Sequence, residues 1–373
     1  MVKIPLNVLQ FATDTSPYEM FVDYWRHYSS FNSKKTTEFS TIRKDGTPLS
    51  FAEKEMEMNA ALKREVARVS QVNIDPTIPL EQWASHPSVR WATFAVVSAM
   101  IDMILPETLI DSIGLYTEIR NGGWADSFSF DIKPRDLFVV SKSGHGQKAT
   151  EVHKQFDTTV TVVPVPHQIT VQVALYKVLA GKESLAEFTA KALKSIEAQM
   201  TVDTYTVFAA AMANLALVGA SPNAYMQVAG YSQDALISLA QRVSAWNGGQ
   251  KVILAGTQRA LQYVLPSDGN YRYQIDSEFV KVGYVRTAFG YDTMVLPQLA
   301  AWGTPFTLAL SDANIYFLCV GVNKPIKLCI EGSTLSNVTA PFDNSNLTQN
   351  ATFIKSWQAA VATNAVAGLM TVA

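Results

Sequence analysis

The stretch "SKSGHGQKATEVHK", residues 141–154, decides how the rest of the chain is read. Two glycines, Gly144 and Gly146, with Lys148 and Thr150 behind them, give it the look of a phosphate-cradling loop. Such a loop needs Gly-x4-Gly-Lys-Ser/Thr between a strand and a helix, because backbone N–H groups and the helix N-terminus hold the anion together. Here Gly146 is followed by Gln147, and a β-rich segment follows where the helix should open. Gly181-Lys182 fails as well, since Glu183 stands where the magnesium-binding hydroxyl belongs. The stretch is a solvated tip.

The flanking segments show what it is the tip of. In "SFSFDIK" (127–133), Phe128, Phe130 and Ile132 alternate with Ser127, Ser129, Asp131 and Lys133, the two-residue period of a half-buried strand. "LFVV" follows at 137–140, and "QFDTTVTVVPVPHQITVQV" (155–173) returns with the same alternation. An outbound arm from Ser127 to Val140 reaches roughly 40 Å at about 3.3 Å per residue. A two-stranded ribbon of that length is marginal in water unless one face is covered. Nothing nearby in sequence supplies the cover, so a neighbouring copy of the same chain is the expected partner.

Composition narrows the choices. The 373 residues are 48% hydrophobic and 17% charged, which suits a chain with sizeable cores, and the net charge of −2 gives no global basic surface for nucleic acid. Cys319 and Cys329 stand ten residues apart with no histidine near, which does not make a zinc set and reads as two reduced thiols. The sequons at Asn337, Asn346 and Asn350 mark a polar, turn-rich segment. Asp102 and Pro106 interrupt the apolar run from Trp91, and Gly219 to Asn223 interrupts the uncharged run after Asp203, so both are read as buried helices and no membrane is expected.

Residues 1–50 carry the aromatics Tyr18, Phe21, Tyr24 and Trp25 with weak periodicity, as in an extended arm that binds through them; a poorly patterned small domain is the alternative. From Ser50 the pattern is helical, opened by the capping-box pair Ser50 and Glu53. A second helix over about 87–105 is expected to carry Trp91, Phe94, Val97, Met100 and Ile101 along one face. Another capping box, Ser184 and Glu187, opens a long helix that would span about 50 Å if continuous to Val218.

The last third alternates strand and helix. Ser232 caps a helix ended by Asn247-Gly248-Gly249. "KVILA" is a strand, "TQRALQYVL" a helix, and two strands flank Gly290. "IYFLCVGV", "PIKLCIEG" and a closing "WQAAVATNAVAGLMTV" read as further strands.

Motifs of catalysis are missing: no Gly-x-Ser-x-Gly, His-Glu-x-x-His or Cys-x-x-Cys occurs. His145, His153 and His167 lack a supporting carboxylate spacing for a metal, and Asp276 and Glu278 read as turn residues rather than an acid–base pair. No enzyme activity, cofactor or metal is expected.

An arm, a long β-hairpin, a long helix, an α/β unit and a terminal strand, in that order, resemble the Hong Kong 97-type fold of tailed-bacteriophage major capsid proteins, shared with encapsulin shells. The stretches that carry the resemblance are "VGYVRTAFGYDTMVLPQLA" (282–300), "LALSDANIYFLCVGV" (308–322) and the closing "WQAAVATNAVAGLMTV". It covers residues 120–373 and implies an α+β chain. Its parts would be an N-terminal arm (1–50), a helical part of the peripheral domain (51–123), an extended loop (124–173), a peripheral segment with the spine helix (174–225), an axial domain (226–333) and a return to the peripheral domain (334–373).

The resemblance further implies self-assembly into hexamers and pentamers of an icosahedral shell around double-stranded DNA, without sequence-specific binding. Such a chain is made in the host bacterial cytoplasm and ends in the virion, with portal, scaffold or decoration proteins as further partners. Intersubunit contacts are expected from the loop tip (Lys142, His145, Lys148, Glu151, Lys154) and from Tyr18, Phe21, Tyr24 and Trp25 of the arm. An encapsulin-type compartment is the alternative, and a soluble α/β enzyme or ligand-binding protein the lesser one.

Overall fold

The structure is a computed structural model that describes residues 17–32, 50–72, 86–108, 116–132, 158–173, 177–178, 182–215, 226–265, 281–300, 307–319, 324–338, 349–363 and 365–372. It is α+β. The chain divides into two units, one of Met1–Thr108, Pro166–Glu197 and Glu331–Ser356, the other of Leu109–Val165, Ala198–Ile330 and Trp357–Ala373.

In the first unit, the N-terminal aromatics form helix α1 (Pro17–Asn32), so this stretch is not the extended arm read from the sequence. Phe21, Tyr24 and Trp25 are buried, and Tyr24 stacks on Phe51 at 5.4 Å between ring centroids. Helix α2 (Phe51–Ser70) is capped as read: Glu53 N donates to Ser50 Oγ at 3.3 Å, and Ser50 N donates to Glu53 Oε2 at 3.0 Å. It lays Met58, Leu62 and Val66 into the core and ends on Gln71 in the left-handed conformation.

Helix α3 (Pro87–Thr108) buries Phe94, Val97, Met100 and Ile101, but Trp91 is 62% exposed. The single-face reading placed all five together. Trp91 and Met100 are nine residues apart, which at about 100° per residue sets them on opposite sides of the helix.

Asp102, which as sequence merely interrupts an apolar run, is a hub. Its carboxylate accepts from Thr334 N (2.8 and 3.0 Å), Thr334 Oγ1 (2.6 Å) and Lys355 Nζ (2.7 Å). Lys355 also donates to Gly332 O at 2.6 Å. The helix is thereby tied to two 13-residue strands, β10 (Ile326–Val338) and β11 (Gln349–Val361). These form a four-stranded sheet in the order β1-β10-β11-β4, with β1 at Thr117–Gly122 and β4 at Val165–Val173.

Helix α4 (Leu185–Leu215) runs 31 residues, straight through the β-branched run Thr201–Val207, where Thr204 and Thr206 hydroxyls donate to the carbonyls of Met200 and Val202. Residues 216–225, where the sequence extends it to Val218, lie outside the described residues. Its cap departs from the expected box. Glu187 N donates to Ser184 Oγ (3.1 Å), while the Glu187 carboxylate pairs with Lys191 at 2.6 Å. Asn59 of α2 joins the helix end instead, its Oδ1 accepting from Ala186 N at 3.1 Å.

The second unit is built on a six-stranded mixed sheet, in the order β5-β12-β9-β6-β8-β7. Its strands are β5 (Gln227–Ala229), β6 (Val252–Gly256), β7 (Thr287–Ala288), β8 (Tyr291–Val295), β9 (Asn314–Cys319) and β12 (Gly368–Thr371). Alternation along β9 serves two cores. Ile315 and Phe317 meet Leu236, Leu239 and Val243 of helix α5 (Gln233–Trp246), whereas Tyr316 and Leu318 meet Tyr205, Phe208 and Met212 of α4. A sheet covered on both faces loses the clean polar/apolar alternation of an exposed one.

Ser232 and Asn247 cap α5 as read, and the "TQRALQYVL" helix is short, α6 (Gln258–Leu261), capped by Thr257. β7 and β8 are joined by Phe289 (φ 53°) and Gly290 (φ 84°), the two positive φ values of a two-residue type I′ hairpin. The closing segment holds two strands rather than one. Its last, β12, pairs parallel with β5 and antiparallel with β9 in the six-stranded sheet, so the chain's end does not return to the peripheral segment as expected.

Replacing Asp102 by Ala leaves the Lys355 ammonium, whose side chain is 6% exposed, without its counter-charge. The expected cost is about 3 kcal/mol, read as a lowered urea midpoint at unchanged m-value.

Candidate assembly site: the anchored ribbon

The ribbon read from residues 127 onward exists. β2 (Phe128–Ile132) pairs antiparallel with β3 (Thr158–Val162), with Phe128 opposite Val162 and Ile132 opposite Thr158. It is a sheet of two strands, and its return arm is shorter than expected, because residues 165–173 form β4 of the four-stranded sheet. Phe128 and Phe130 are buried while Ser129 and Asp131 are exposed, which is the period-2 pattern made physical.

The base of the ribbon has its cover inside its own chain, contrary to the expectation that only a neighbouring copy could provide it. Phe128, Phe130 and Val162 pack with Cys329, and Val160 and Ala360 close the cluster. Two cations sit on the Phe130 ring: Arg120 Cζ at 4.7 Å and Lys327 Nζ at 5.7 Å from its centroid. A buried ring face attracts such cations by about 1 kcal/mol or more each.

Glu118 holds both cations in place. Its Oε2 accepts from Lys327 Nζ at 2.6 Å, and its Oε1 from Arg120 Nη2 at 3.1 Å and Nε at 3.2 Å. Glu118 and Arg120 are two apart on β1 and so share a face, and Arg120 also donates to the Ser129 carbonyl of the ribbon. The Lys327 side chain is 1% exposed. Burial by itself raises the Glu118 pKa, but hydrogen bonds and charge from Lys327, then Arg120, outweigh it and hold the carboxyl below its ordinary 4.5.

Of the contact residues expected from sequence, Lys142, His145, Lys148, Glu151 and Lys154 lie outside the described residues. Tyr18 falls in the first turn of α1, and Phe21, Tyr24 and Trp25 are buried within the first unit. Sequence reasoning missed two exposed apolar residues at the ribbon's root. Trp124, in the β1–β2 turn, is 44% exposed, and Val163, next to the Phe128–Val162 pair, is 73% exposed.

Among the described residues no three His, Cys, Asp or Glu gather as a metal set, and no helix is long and apolar enough to cross a membrane. Cys319 and Cys329 are not in a disulfide, and Asp276 and Glu278 lie outside the described residues.

No family model matches the sequence, and no curated protein matches it. Among solved structures, the chain is similar to the mature capsid of bacteriophage PhiM1, at TM-score 0.49 and 10% identity over 70% of this chain and 87% of that one. It is similar to the capsid of the native GTA particle at TM-score 0.48 and 13% identity, over 70% and 90%. It is also similar to the virus-like particle from Pyrococcus furiosus at TM-score 0.40 and 9% identity, over 72% and 96%.

Glu118→Gln tests the anchor. Because the folded-state carboxyl is held below its unfolded value, its contribution is complete above pH 4.5 and is lost as pH falls below that. At about pH 6 the variant should lose roughly 1–2 kcal/mol, the lower half of the range for charged hydrogen bonds because Glu118 is one-third exposed. The gap from the unsubstituted chain should close on acidification, as followed by urea unfolding from about pH 6 to 3.

Proposed function

We propose that the chain is the major capsid protein of a tailed bacteriophage, with the Hong Kong 97-type fold, and that it self-assembles into the icosahedral shell around double-stranded DNA. The observation that carries this reading is the anchored ribbon. A buried aromatic and cationic seat fixes its base, and 25 residues, 133–157, separate its last paired positions, Ile132 and Thr158. A firmly seated base with a long polar excursion suits a clamp on something outside the chain. The same excursion would be an entropic burden in a solitary protein.

The remaining elements fit this role. The unit of α1–α3, the 31-residue α4 and the mixed six-stranded sheet follow the order of arm-side helices, extended loop, spine helix and axial domain. The peripheral domain is the first unit and the axial domain is the six-stranded sheet with α5 and α6. Hexamers and pentamers form by packing axial domains, and ring-closing contacts repeat without free edges. The tip, three lysines against one glutamate between 142 and 154, docks on acidic surface of the next copy, which sets register and encounter more than affinity. Trp124 and Val163 add apolar contact at the root.

The protein is a structural subunit and not an enzyme, and needs no cofactor. Its near-neutral charge suits DNA held by enclosure. It is made in the host cytoplasm and resides in the virion, with portal, scaffold or decoration proteins as added partners.

Purified or co-expressed with a scaffold, the chain should give closed particles by negative-stain microscopy. A sedimentation profile holding nothing but the 40.9 kDa chain under all such conditions would overturn the reading. Deleting residues 141–152 should leave the circular-dichroism spectrum and unfolding midpoint intact while closed particles fall at least about tenfold, a loss of about 1.4 kcal/mol or more in assembly.

A further inference from the structure

The N-terminal helix is held by a buried charge cluster that no part of the shell reading uses. Lys54 Nζ of α2 donates to Asp23 Oδ2 of α1 at 2.7 Å, and the two side chains are 0% and 2% exposed. One turn further along α1, His27 is 6% exposed, and its Nδ1 has no hydrogen-bond partner among the described residues. Its ring meets Phe51 of α2 edge-on at 5.3 Å. His27 thus lies one helical turn from a carboxylate that already holds an ammonium.

We propose that Asp23, Lys54 and His27 form an acid-sensitive latch, which holds α1 on α2 at neutral pH and releases it when His27 takes up a proton. Protonation would place a positive charge on a buried imidazole whose Nδ1 has no hydrogen-bond partner among the described residues, beside the Lys54 ammonium, which is costly. Burial first, and Lys54 second, hold the imidazole pKa below its ordinary 6.5, while Asp23 pulls the other way. The folded chain thus binds fewer protons than the unfolded one as pH drops through 6.5, and stability of the seam falls with pH there.

Other charged groups stand on the elements packed against α1, among them Glu57 of α2, whose buried Oε2 has no hydrogen-bond partner among the described residues. On α2, Glu53 bonds Ser50 and Glu55 acts on Tyr24; from α4, Glu187 pairs with Lys191 and also acts on Tyr24. From α3, Asp102 is held by Thr334 and Lys355, and partial burial lowers the Arg90 pKa. Lys54 and Asp23 are the charges that act on His27. Release of α1 would uncover Phe21, Tyr24 and Trp25, the residues the sequence points to for neighbour contacts. What they would then dock on belongs to the shell reading, but the latch is a property of the single chain.

Hydrogen exchange of the full-length chain, read by mass spectrometry over residues 17–32 and corrected for intrinsic rates, tests the latch. Protection of this segment should fall up to about tenfold between about pH 7.5 and 5.5. In His27→Gln it should not change over that range. Lys54→Met should reverse the sign, because His27 protonation would then neutralise Asp23 and protection would rise on acidification. Equal loss of protection in the unsubstituted chain and His27→Gln, or a fall in Lys54→Met as steep as in the unsubstituted chain, overturns the latch. Neither result bears on whether the chain builds shells.

Discussion

A two-stranded ribbon in water has one face too many. Its hydrogen bonds close one ladder, but an apolar face without a second layer gains nothing from burial. This chain meets that constraint with Phe128 and Phe130 laid on Cys329 and Ala360, and with Arg120 and Lys327 drawn to the Phe130 ring by the same carboxylate. The seat converts a weak element into a fixed one.

Lysine recurs at the seams of the structure. Lys54, Lys327 and Lys355 are 0%, 1% and 6% exposed at their side chains, and each donates to one carboxylate: Asp23, Glu118 and Asp102. The three pairs join α1 to α2, β1 to β10 and α3 to β11. Buried ion pairs add little net stability over apolar packing of equal volume, but a mismatch leaves a bare charge in a dry place. Their value here is selection of one arrangement over shifted alternatives. Apolar contacts alone would tolerate a strand or helix sliding by a turn; a lysine that must meet one carboxylate does not.

The N-terminal helix shows how one sequence feature can carry two readings. Aromatics at 18–25 without a clear period point to an arm reaching to a neighbour, whereas Phe21, Tyr24 and Trp25 are buried, with Tyr24 stacked on Phe51 of α2. The two descriptions are compatible if the seam opens, and the charge cluster at its edge gives it a means to do so. In the structure the aromatics are inside.

Where the physics is local, the residues themselves were enough. The Ser50–Glu53 box, the alternation of Phe128 and Phe130, the caps of α5 and the hairpin at Gly290 all depend on neighbours two to four positions away, and each formed as the residues implied. The cover of the ribbon, the hub at Asp102 and the anchor at Glu118 were not legible. Glu118 and Lys327 are 209 residues apart, and Asp102 and Lys355 are 253 apart. No period or spacing encodes a partner at that distance. The final strand also went astray, because an Ala/Val run says that a segment is buried but not in which sheet, and only the register with β5 and β9 placed it. Local patterns fixed which elements exist; the packing of distant side chains, where a buried charge accepts a single complement, decided how they are joined.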